Sequence, residues 1–301
     1  MVIITENAND TLQQAVIFAL EDADGEKQSS LDELCRLLDT AGACCVKRFV
    51  QHAAPEAKTY IGSGKAHEIA EFCKYNDISL AVCDDELSPS QIKNLEDIMD
   101  GVEVIDRSML ILEIFKRHAT SAEGKLQVEI AELRYTIPRL IGKGAQLSRQ
   151  GGGGGGGGGA RRGAGESKLE TDRRHVEHRI EYLKSQLEQM ERTRALQRHS
   201  RERSGITRVA VAGYTNAGKS TLLNRLTGAG ILAEDKLFAT LDTTTRKFSL
   251  PSGTEILLTD TVGFIQRLPH HLIKAFYSTL EEVAYADVIV LVCDVSDKNC
   301  A

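Results

Sequence analysis

Length, composition and charge limit the kinds of protein that this chain can be. Its 301 residues suffice for about two domains, and 42% hydrophobic with 27% charged residues is ordinary for a soluble globular protein. A formal net charge of −6 argues against a molecule that binds polyanions over its whole surface, although it leaves room for a local basic patch. The seven cysteines form no CxxC pair, so we expect reduced thiols.

The sequence carries no sign of export or of membrane insertion. The N-terminal stretch MVIITENAND has neither the basic segment nor the apolar core of an export signal. The longest apolar run, VIVLVC from Val288, is far too short to cross a bilayer. We therefore expect a cytoplasmic protein without a membrane span.

The first third of the chain alternates between short apolar runs and helical patterns. Strands are predicted at QAVIFAL, CCVKRFV, ISLAVCD and VEVID, and helices at SLDELCRLLDTAG, SGKAHEIAEFCKYN and SPSQIKNLEDIMD. Such alternation implies crossover connections and a parallel sheet. In YIGSGKAHE, Thr59 stands where a phosphate-binding loop needs its first glycine, so this stretch is interpreted as a glycine turn that opens a helix. The sequence predicts an α/β domain over residues 1–106.

Two long helices are predicted over residues 107–204. The first begins near Arg107 and ends before Pro138, because proline disfavours a helix interior. The second runs from about Ser167 to Arg203. Both carry apolar residues at the spacing of a coiled-coil seam, which predicts an antiparallel pair. The seam residues are Leu126, Ile130, Leu133 and Ile137 in the first helix, and Val176, Ile180, Leu183, Leu187 and Met190 in the second.

The connection between these helices is a glycine-rich loop, residues 151–166, that opens with nine consecutive glycines. By composition it is a flexible linker. Residues 160–208 carry 13 Lys and Arg against 8 Asp and Glu, and glycine between arginines would allow close approach to a phosphate backbone. The nearby arginines are Arg149, Arg161, Arg162, Arg173 and Arg174.

A phosphate-binding loop begins the last part of the chain, residues 205–301. A strand, a loop and a helix are predicted in succession in the stretch ITRVAVAGYTNAGKSTLLNRL. The centre of this stretch matches the GxxxxGK[ST] motif in full. Backbone N–H groups and the helix N-terminus would hold the phosphates, Lys219 would reach the β/γ oxygens, and Ser220 would ligate Mg²⁺. The predicted nucleotide-binding residues here are Gly213, Tyr214, Thr215, Asn216, Ala217, Gly218, Lys219, Ser220 and Thr221.

Two further segments complete the predicted site. TEILLTDTVGF ends an apolar strand at Asp260, which would hold Mg²⁺ through water, and Gly263 of this DxxG motif could sense a γ-phosphate through its amide. In FATLD, Thr240 is placed to reach Mg²⁺ when a γ-phosphate is present. Lys219, Thr240 and Gly263 are the expected catalytic residues. The two segments add Phe238, Ala239, Thr240, Leu241, Asp242, Asp260, Thr261, Val262 and Gly263 to the expected nucleotide contacts.

Three segments taken together resemble the GTPase domain of the HflX family, whose members are ribosome-associated GTPases related to Obg. These segments are GYTNAGKS, FATLD and DTVGFIQRLPHHLIKAFYSTLEEV. Two earlier segments resemble the N-terminal region of the same family, namely DRSMLILEIFKRHATSAEGKLQVEIAELRY and GESKLETDRR. The likeness therefore runs from about residue 14 to 297. The resemblance implies an N-terminal α/β domain with a helical pair and then a GTPase domain. It also implies GTP and GDP as ligands and binding to the large ribosomal subunit, in ribosome splitting or rescue under stress. On this resemblance the 151–174 segment becomes a ribosomal RNA contact rather than a linker.

The sequence departs from the family pattern at a few positions. Proline is usual in the family near Thr243 and Ala164. The guanine-reading NKxD motif is expected after ADVIVLVCD, where SDKN does not match it, so the chain is expected to be truncated within its GTPase domain. Base specificity then rests on the resemblance. An ATP-dependent RNA-remodelling protein and a nucleotide-switched protein-interaction module are the alternative functions.

Two residues bear on hydrolysis. In related GTPases an asparagine at the position of Asn216 helps to hold a monovalent cation, which makes K⁺ a candidate second cofactor; alternatively, Asn216 only suits the turn. Phe264 follows the DxxG motif where Ras-like GTPases carry the glutamine that orients water. Hydrolysis is therefore expected to be slow until the ribosome orders the switch segments, unless another side chain positions the water.

Overall fold

The computed structural model describes residues 12–21, 27–150, 160–202, 205–228, 236–238, 241, 243–268, 272 and 282–296. The chain divides into two compact units. The first comprises residues 1–38, 42–110 and 130–185, and the second comprises residues 39–41, 111–129 and 186–301.

The first unit is built on a four-stranded parallel sheet in the order β2-β1-β3-β4. Its strands are β1 (Gln13–Leu20), β2 (Ala43–Gln51), β3 (Leu80–Cys83) and β4 (Glu103–Asp106). Helices α1 (Lys27–Ala41), α2 (Ser63–Tyr75) and α3 (Pro89–Ile98) connect them. The predicted parallel α/β fold is thus confirmed, with each of these elements at its expected place.

Burial and capping explain why these segments fold as they do. All four residues of β3 are buried, as are six of the eight in β1, which is the pattern of central parallel strands covered on both faces. Ser88 caps α3 because its hydroxyl accepts a hydrogen bond from the Gln91 backbone amide, and the Ser88 backbone amide donates to the Gln91 side-chain oxygen. Gly62 precedes α2, which confirms the glycine turn expected there.

The helix predicted from Arg107 to Pro138 is wrong in both its continuity and its end. The structure has α4 (Arg107–His118) and a separate α5 (Ala122–Gln150). Ser121 causes the restart, since its hydroxyl accepts a hydrogen bond from the Gly124 amide at 2.9 Å and so caps α5.

The helix α5 also continues through Pro138. A proline removes one helical N–H and crowds the preceding turn. Side chains hold the carbonyls around it: Thr136 donates to the Glu132 carbonyl at 2.7 Å, and Arg139 donates to the Tyr135 carbonyl at 2.8 Å. Tyr135 and Arg139 of the same turn also make tertiary contacts, which outweigh the local preference.

Those tertiary contacts converge on Asp106, the fully buried last residue of β4. Its carboxylate accepts hydrogen bonds from the Tyr135 hydroxyl at 2.6 Å and from the Arg139 guanidinium at 3.1 Å. The backbone amides of Leu87 and Met109 donate to it at 3.1 and 2.9 Å. This buried ion pair fixes α5 to the first sheet.

The helices α5 and α6 (Ala160–Glu202) form the predicted antiparallel pair. Glu123 near the start of α5 pairs with Arg194 near the end of α6, whereas Arg134 further along α5 interacts with the earlier Glu181. Of the predicted seam residues, Ile130, Ile180 and Leu183 are buried and the others that the structure describes are half-buried.

The second unit contains a four-stranded sheet in the order β6-β7-β5-β8. It consists of β5 (Thr207–Gly213), β6 (Thr244–Ser249), β7 (Glu255–Asp260) and β8 (Val288–Val292), with α7 (Lys219–Thr227) after β5. β5 is parallel to β7 and β8, and β6 is antiparallel to β7. β6 was not predicted from the sequence. Among the helices described, none is long and apolar enough to cross a membrane.

Candidate nucleotide-binding site

The predicted phosphate-binding loop lies between β5 and α7, at the carboxyl end of a central strand. Gly213 has a φ of 152°, and a Cβ built on it would lie 2.2 Å from the Val292 carbonyl oxygen, so only glycine fits beside β8. Asn216 adopts a left-handed φ of 62°, a conformation that asparagine tolerates well. Gly218, with a φ of 89°, caps α7 and directs the helix N-terminus at the loop.

The DxxG segment lies directly on this loop. The Thr215 amide donates to the Phe264 carbonyl at 2.7 Å, and the Phe264 amide donates to the Gly213 carbonyl at 3.1 Å. A Cβ on Gly263 would lie 2.5 Å from the Thr215 Cα and 2.8 Å from the Lys219 Nζ. The structure therefore brings the two predicted motifs together, although they are forty residues apart in sequence.

Lys219 is a buried cation at the centre of the site, with 6% of its surface exposed. Its ammonium donates to the Tyr214 carbonyl at 2.6 Å. Burial lowers the pKa of Lys219, and the Asp260 carboxylate opposes that effect in part. A phosphate chain beside this ammonium would add the negative charge that the buried cation favours.

Ser220 and Asp260 form a pair of oxygen donors below the loop. The Ser220 hydroxyl donates to the Asp260 carboxylate at 2.6 Å, and Asp260 is fully buried at the end of β7. The neighbouring Thr261 hydroxyl donates to the Val211 carbonyl at 2.7 Å and so ties the strand end to β5. A hydroxyl and a carboxylate are the hard oxygen ligands that Mg²⁺ takes in phosphate sites, so the residues present fit that ion.

The remaining residues predicted from the loop and the DxxG motif are also placed. Tyr214 is half exposed and Val262 is buried. Thr221 lies exposed on the first turn of α7. The Ala217 amide donates to the Tyr214 carbonyl at 3.2 Å within the loop.

The FATLD segment is described only in part. Phe238 and Leu241 are buried, whereas Ala239, Thr240 and Asp242 lie outside the described residues. Phe238 has a φ of 58°, unusual for an aromatic residue, and packs edge-on against Phe115 with ring centroids 4.6 Å apart. The contacts described for Phe238 thus lie on α4 rather than on the phosphate-binding loop.

The predicted RNA-contacting segment is likewise described in part. Residues 151–159 lie outside the described residues, and Arg161 and Arg162 lie in α6. Arg173 and Arg174 are exposed on α6, where they pair with Glu177 at 2.8 Å and Glu170 at 3.1 Å.

Two backbone contacts of the site were not predicted from the sequence. The backbone of Phe264 pairs with the phosphate-binding loop, and the carbonyl of Val292 closes over Gly213. Backbone contacts of this kind carry no residue-type pattern, so nothing in the sequence could have indicated them.

Three family models match consecutive parts of the chain. They are described as "GTP-binding GTPase N-terminal" over residues 28–116, "GTP-binding GTPase Middle Region" over residues 118–201 and "50S ribosome-binding GTPase" over residues 208–300. Together they follow the order of elements described above.

Curated relatives share most of this chain. A protein named GTPase HflX from Lacrimispora saccharolytica is 53% identical over 289 residues, which is 95% of this chain and 67% of that protein. The GTPase HflX of Caldanaerobacter subterraneus subsp. tengcongensis is 52% identical, over 91% of this chain and 63% of that protein. The GTPase HflX of Escherichia coli K12 is 43% identical, over 96% of this chain and 66% of that protein. The chain thus spans about two thirds of the length of these relatives.

Solved structures agree with the fold. A crystal structure of the complex of SsGBP and GDP has a TM-score of 0.56 at 27% identity, and the match covers 95% of this chain and 73% of that one. A GTP-binding protein from Sulfolobus solfataricus, also in complex with GDP, has a TM-score of 0.51 at 26% identity and covers 95% and 72%.

Proposed function

The chain belongs to the HflX family of GTPases, and from that premise we propose that it binds and hydrolyses GTP with Mg²⁺. The observation that carries the proposal is the Ser220–Asp260 contact at 2.6 Å below a phosphate-binding loop. Ser220 would ligate Mg²⁺ directly and Asp260 would hold it through water; when bound, the ion neutralises charge on the β- and γ-phosphates. Lys219 would reach the same oxygens, and Gly263 would present its amide to the γ-phosphate. Thr240 is proposed as the second protein ligand of Mg²⁺.

The experiment compares the hydrolysis of GTP and ATP across a Mg²⁺ titration. We expect Ser220→Ala to raise the Mg²⁺ concentration needed for half-maximal rate by about tenfold or more, because it removes one oxygen ligand. The matched control is Ser249→Ala, an exposed serine on β6 that should leave the titration unchanged. Faster turnover of ATP than of GTP would favour the alternative of an ATP-dependent remodelling protein.

For the partner, we propose the large ribosomal subunit, contacted through the segment 151–174. The family model described as a 50S ribosome-binding GTPase and the arginines of this segment support it. The ion pairs of Arg173 and Arg174 lie on an exposed helix face, where such pairs contribute little stability, so both arginines could exchange their partners for phosphates. A role in splitting or rescuing ribosomes, and a cytoplasmic location, follow from this partner as further parts of the proposal.

A pelleting assay with large ribosomal subunits tests this contact. Replacing Arg161, Arg162, Arg173 and Arg174 by alanine should abolish co-sedimentation and leave nucleotide binding intact. The same four positions changed to lysine keep the charge and should retain most of the binding, with a steep dependence on salt. Undiminished pelleting of the alanine variant would exclude the segment as the main contact.

Asn216 is proposed to make hydrolysis depend on K⁺. Asn216 belongs to the phosphate-binding loop and has a left-handed φ of 62°, and a cation held by its side chain would stabilise the transition-state charge. Turnover in KCl should exceed turnover in NaCl at equal ionic strength. Equal rates would mean that Asn216 serves only the turn.

We also propose that the domains divide as expected from the sequence, with boundaries at residues 106/107 and 204/205.

A further inference from the structure

Two cysteines of the first unit lie at the same level on neighbouring elements. Cys35 is seven residues before Gly42, where α1 turns into β2, and Cys45 is three residues after it. Seven helical residues span about 10.5 Å and three strand residues span about 10 Å. Because the chain reverses direction at Gly42, the two side chains reach the same height above the turn.

A β-bulge in β2 directs both Cys45 and Arg48 towards α1. Ala15 of β1 pairs with Cys45, but the next pair is Val16 with Lys47, followed by Ile17 with Arg48. Ala15 and Ile17 share one face of the sheet, so the bulge places Cys45 and Arg48 on one face as well. Without the extra residue, positions 45 and 48 would point to opposite faces.

Arg48 identifies that face as the one covered by α1. Its guanidinium donates to the Asp32 carboxylate at 2.5 Å, and Asp32 lies one helical turn before Cys35. The hydrogen bond to Asp32 is the main cause that raises the pKa of Arg48, and Arg48 also hydrogen-bonds Cys35. The guanidinium therefore remains charged beside the Cys35 sulfur.

The two cysteine side chains also interact with each other. The Cys45 thiol donates to the Lys47 carbonyl at 3.8 Å, and a hydrogen bond with Cys35, with burial second, raises the pKa of Cys45. The raised pKa keeps the Cys45 thiol protonated, and the Arg48 guanidinium hydrogen-bonds both sulfurs, where a cation favours a thiolate. Both residues are partly exposed, within reach of small oxidants, whereas Cys73 and Cys83 are buried.

We propose that Cys35 and Cys45 form a reversible disulfide, with Cys35 as the attacking thiolate and a peroxide as oxidant. The Cys35 thiolate attacks one peroxide oxygen and breaks the O–O bond, which leaves a sulfenic acid on Cys35 and releases water after protonation. The Cys45 sulfur then attacks the Cys35 sulfur, so an S–S bond forms, the S–O bond breaks and the leaving hydroxide takes the Cys45 proton. In sum, two thiols and one hydrogen peroxide give one disulfide and two waters. A dithiol reductant reverses the reaction by exchange.

The test is peroxide treatment of the folded protein, alkylation of the remaining thiols, and tryptic peptide mass spectrometry. Trypsin cleavage after Lys27, Arg36 and Lys47 separates Cys35, in QSSLDELCR, from Cys45, in LLDTAGACCVK. The expected product is a cross-link between these two peptides that disappears on reduction. No cross-link at a peroxide dose that oxidises exposed Cys293 would overturn the proposal.

Serine variants show which sulfurs take part. Cys35→Ser and Cys45→Ser should each abolish the cross-link, whereas Cys44→Ser, the matched control on the opposite face of β2, should retain it. A cross-link that persists in Cys45→Ser would assign the bond to Cys44 and contradict the geometry. Circular dichroism of the serine variants verifies that they are folded.

The role of the guanidinium has its own measurement. Arg48→Gln should slow the alkylation of Cys35 by iodoacetamide at neutral pH by about threefold or more, because less thiolate is present. An unchanged rate would remove Arg48 from the account and with it the choice of Cys35 as the attacking group.

Discussion

Replacing Gly263 by alanine tests whether the DxxG segment and the phosphate-binding loop act as one site. The new Cβ would lie 2.5 Å from the Thr215 Cα and 2.6 Å from its nitrogen, against the 3.4 Å at which ordinary contacts begin. One of the two backbones must therefore retreat by roughly 0.9 Å, the difference between 3.4 and 2.5 Å. Overpacking of this kind costs about 1–3 kcal/mol. If the strain falls on the nucleotide-bound loop, affinity drops by about 5- to 150-fold.

Fluorescent GDP and GTP analogues measure that loss by titration, and thermal unfolding without nucleotide reports any damage to the fold. Gly64→Ala is the matched control, since a Cβ there meets nothing within 4 Å and the residue lies in α2, where alanine is the better helix former. Wild-type affinity in Gly263→Ala would refute the coupling of the two segments.

Three further predictions concern single charged residues. Lys219→Met should unfold at the same or a higher temperature than wild type without nucleotide, because burial disfavours the ammonium, but nucleotide should no longer raise its Tm. Asp106→Asn should lower the urea-derived free energy of unfolding by about 3 kcal/mol, since it leaves buried donors without their carboxylate, while the exposed Asp97→Asn should change it little. The hydrogen bonds from Arg208 lower the pKa of Asp287 below its usual value of 3.8. The stability that the ionised Asp287 contributes is therefore full above pH 3.8 and is lost as the pH falls through the lowered pKa. Asp287→Asn should flatten the acid end of a curve of Tm against pH.

The parts of the molecule that follow from local pattern were predicted correctly. The alternation of buried runs and helices in the first sheet, and the phosphate-binding loop between β5 and α7, are short-range features with strong residue preferences. The helical seam is another, because Ile180 and Leu183 lie three residues apart and are both buried.

What escaped prediction depends on tertiary contacts. The helix passes Pro138 because Tyr135 and Arg139 of the same turn are held by Asp106 of β4. The sequence TTRKFS of β6 is polar and weakly patterned, and forms a strand because it pairs with β7. The Cys35–Cys45 contact needs the bulge in β2 as well as the turn at Gly42, and residue spacing alone does not reveal the bulge.

The proposed GTPase site has its phosphate-binding loop, Ser220 and Asp260 in place, and we propose that its hydrolysis waits for the ribosome. Phe264 occupies the position of a water-orienting glutamine, and its backbone pairs with the phosphate-binding loop while its side chain is 41% exposed.

Single-turnover GTP hydrolysis with and without large ribosomal subunits tests this claim most directly. The account predicts tight binding and slow hydrolysis alone, and a rate at least about tenfold higher when subunits are added, because they order the switch segments around the nucleotide. Fast turnover in their absence, unchanged by their addition, would contradict it.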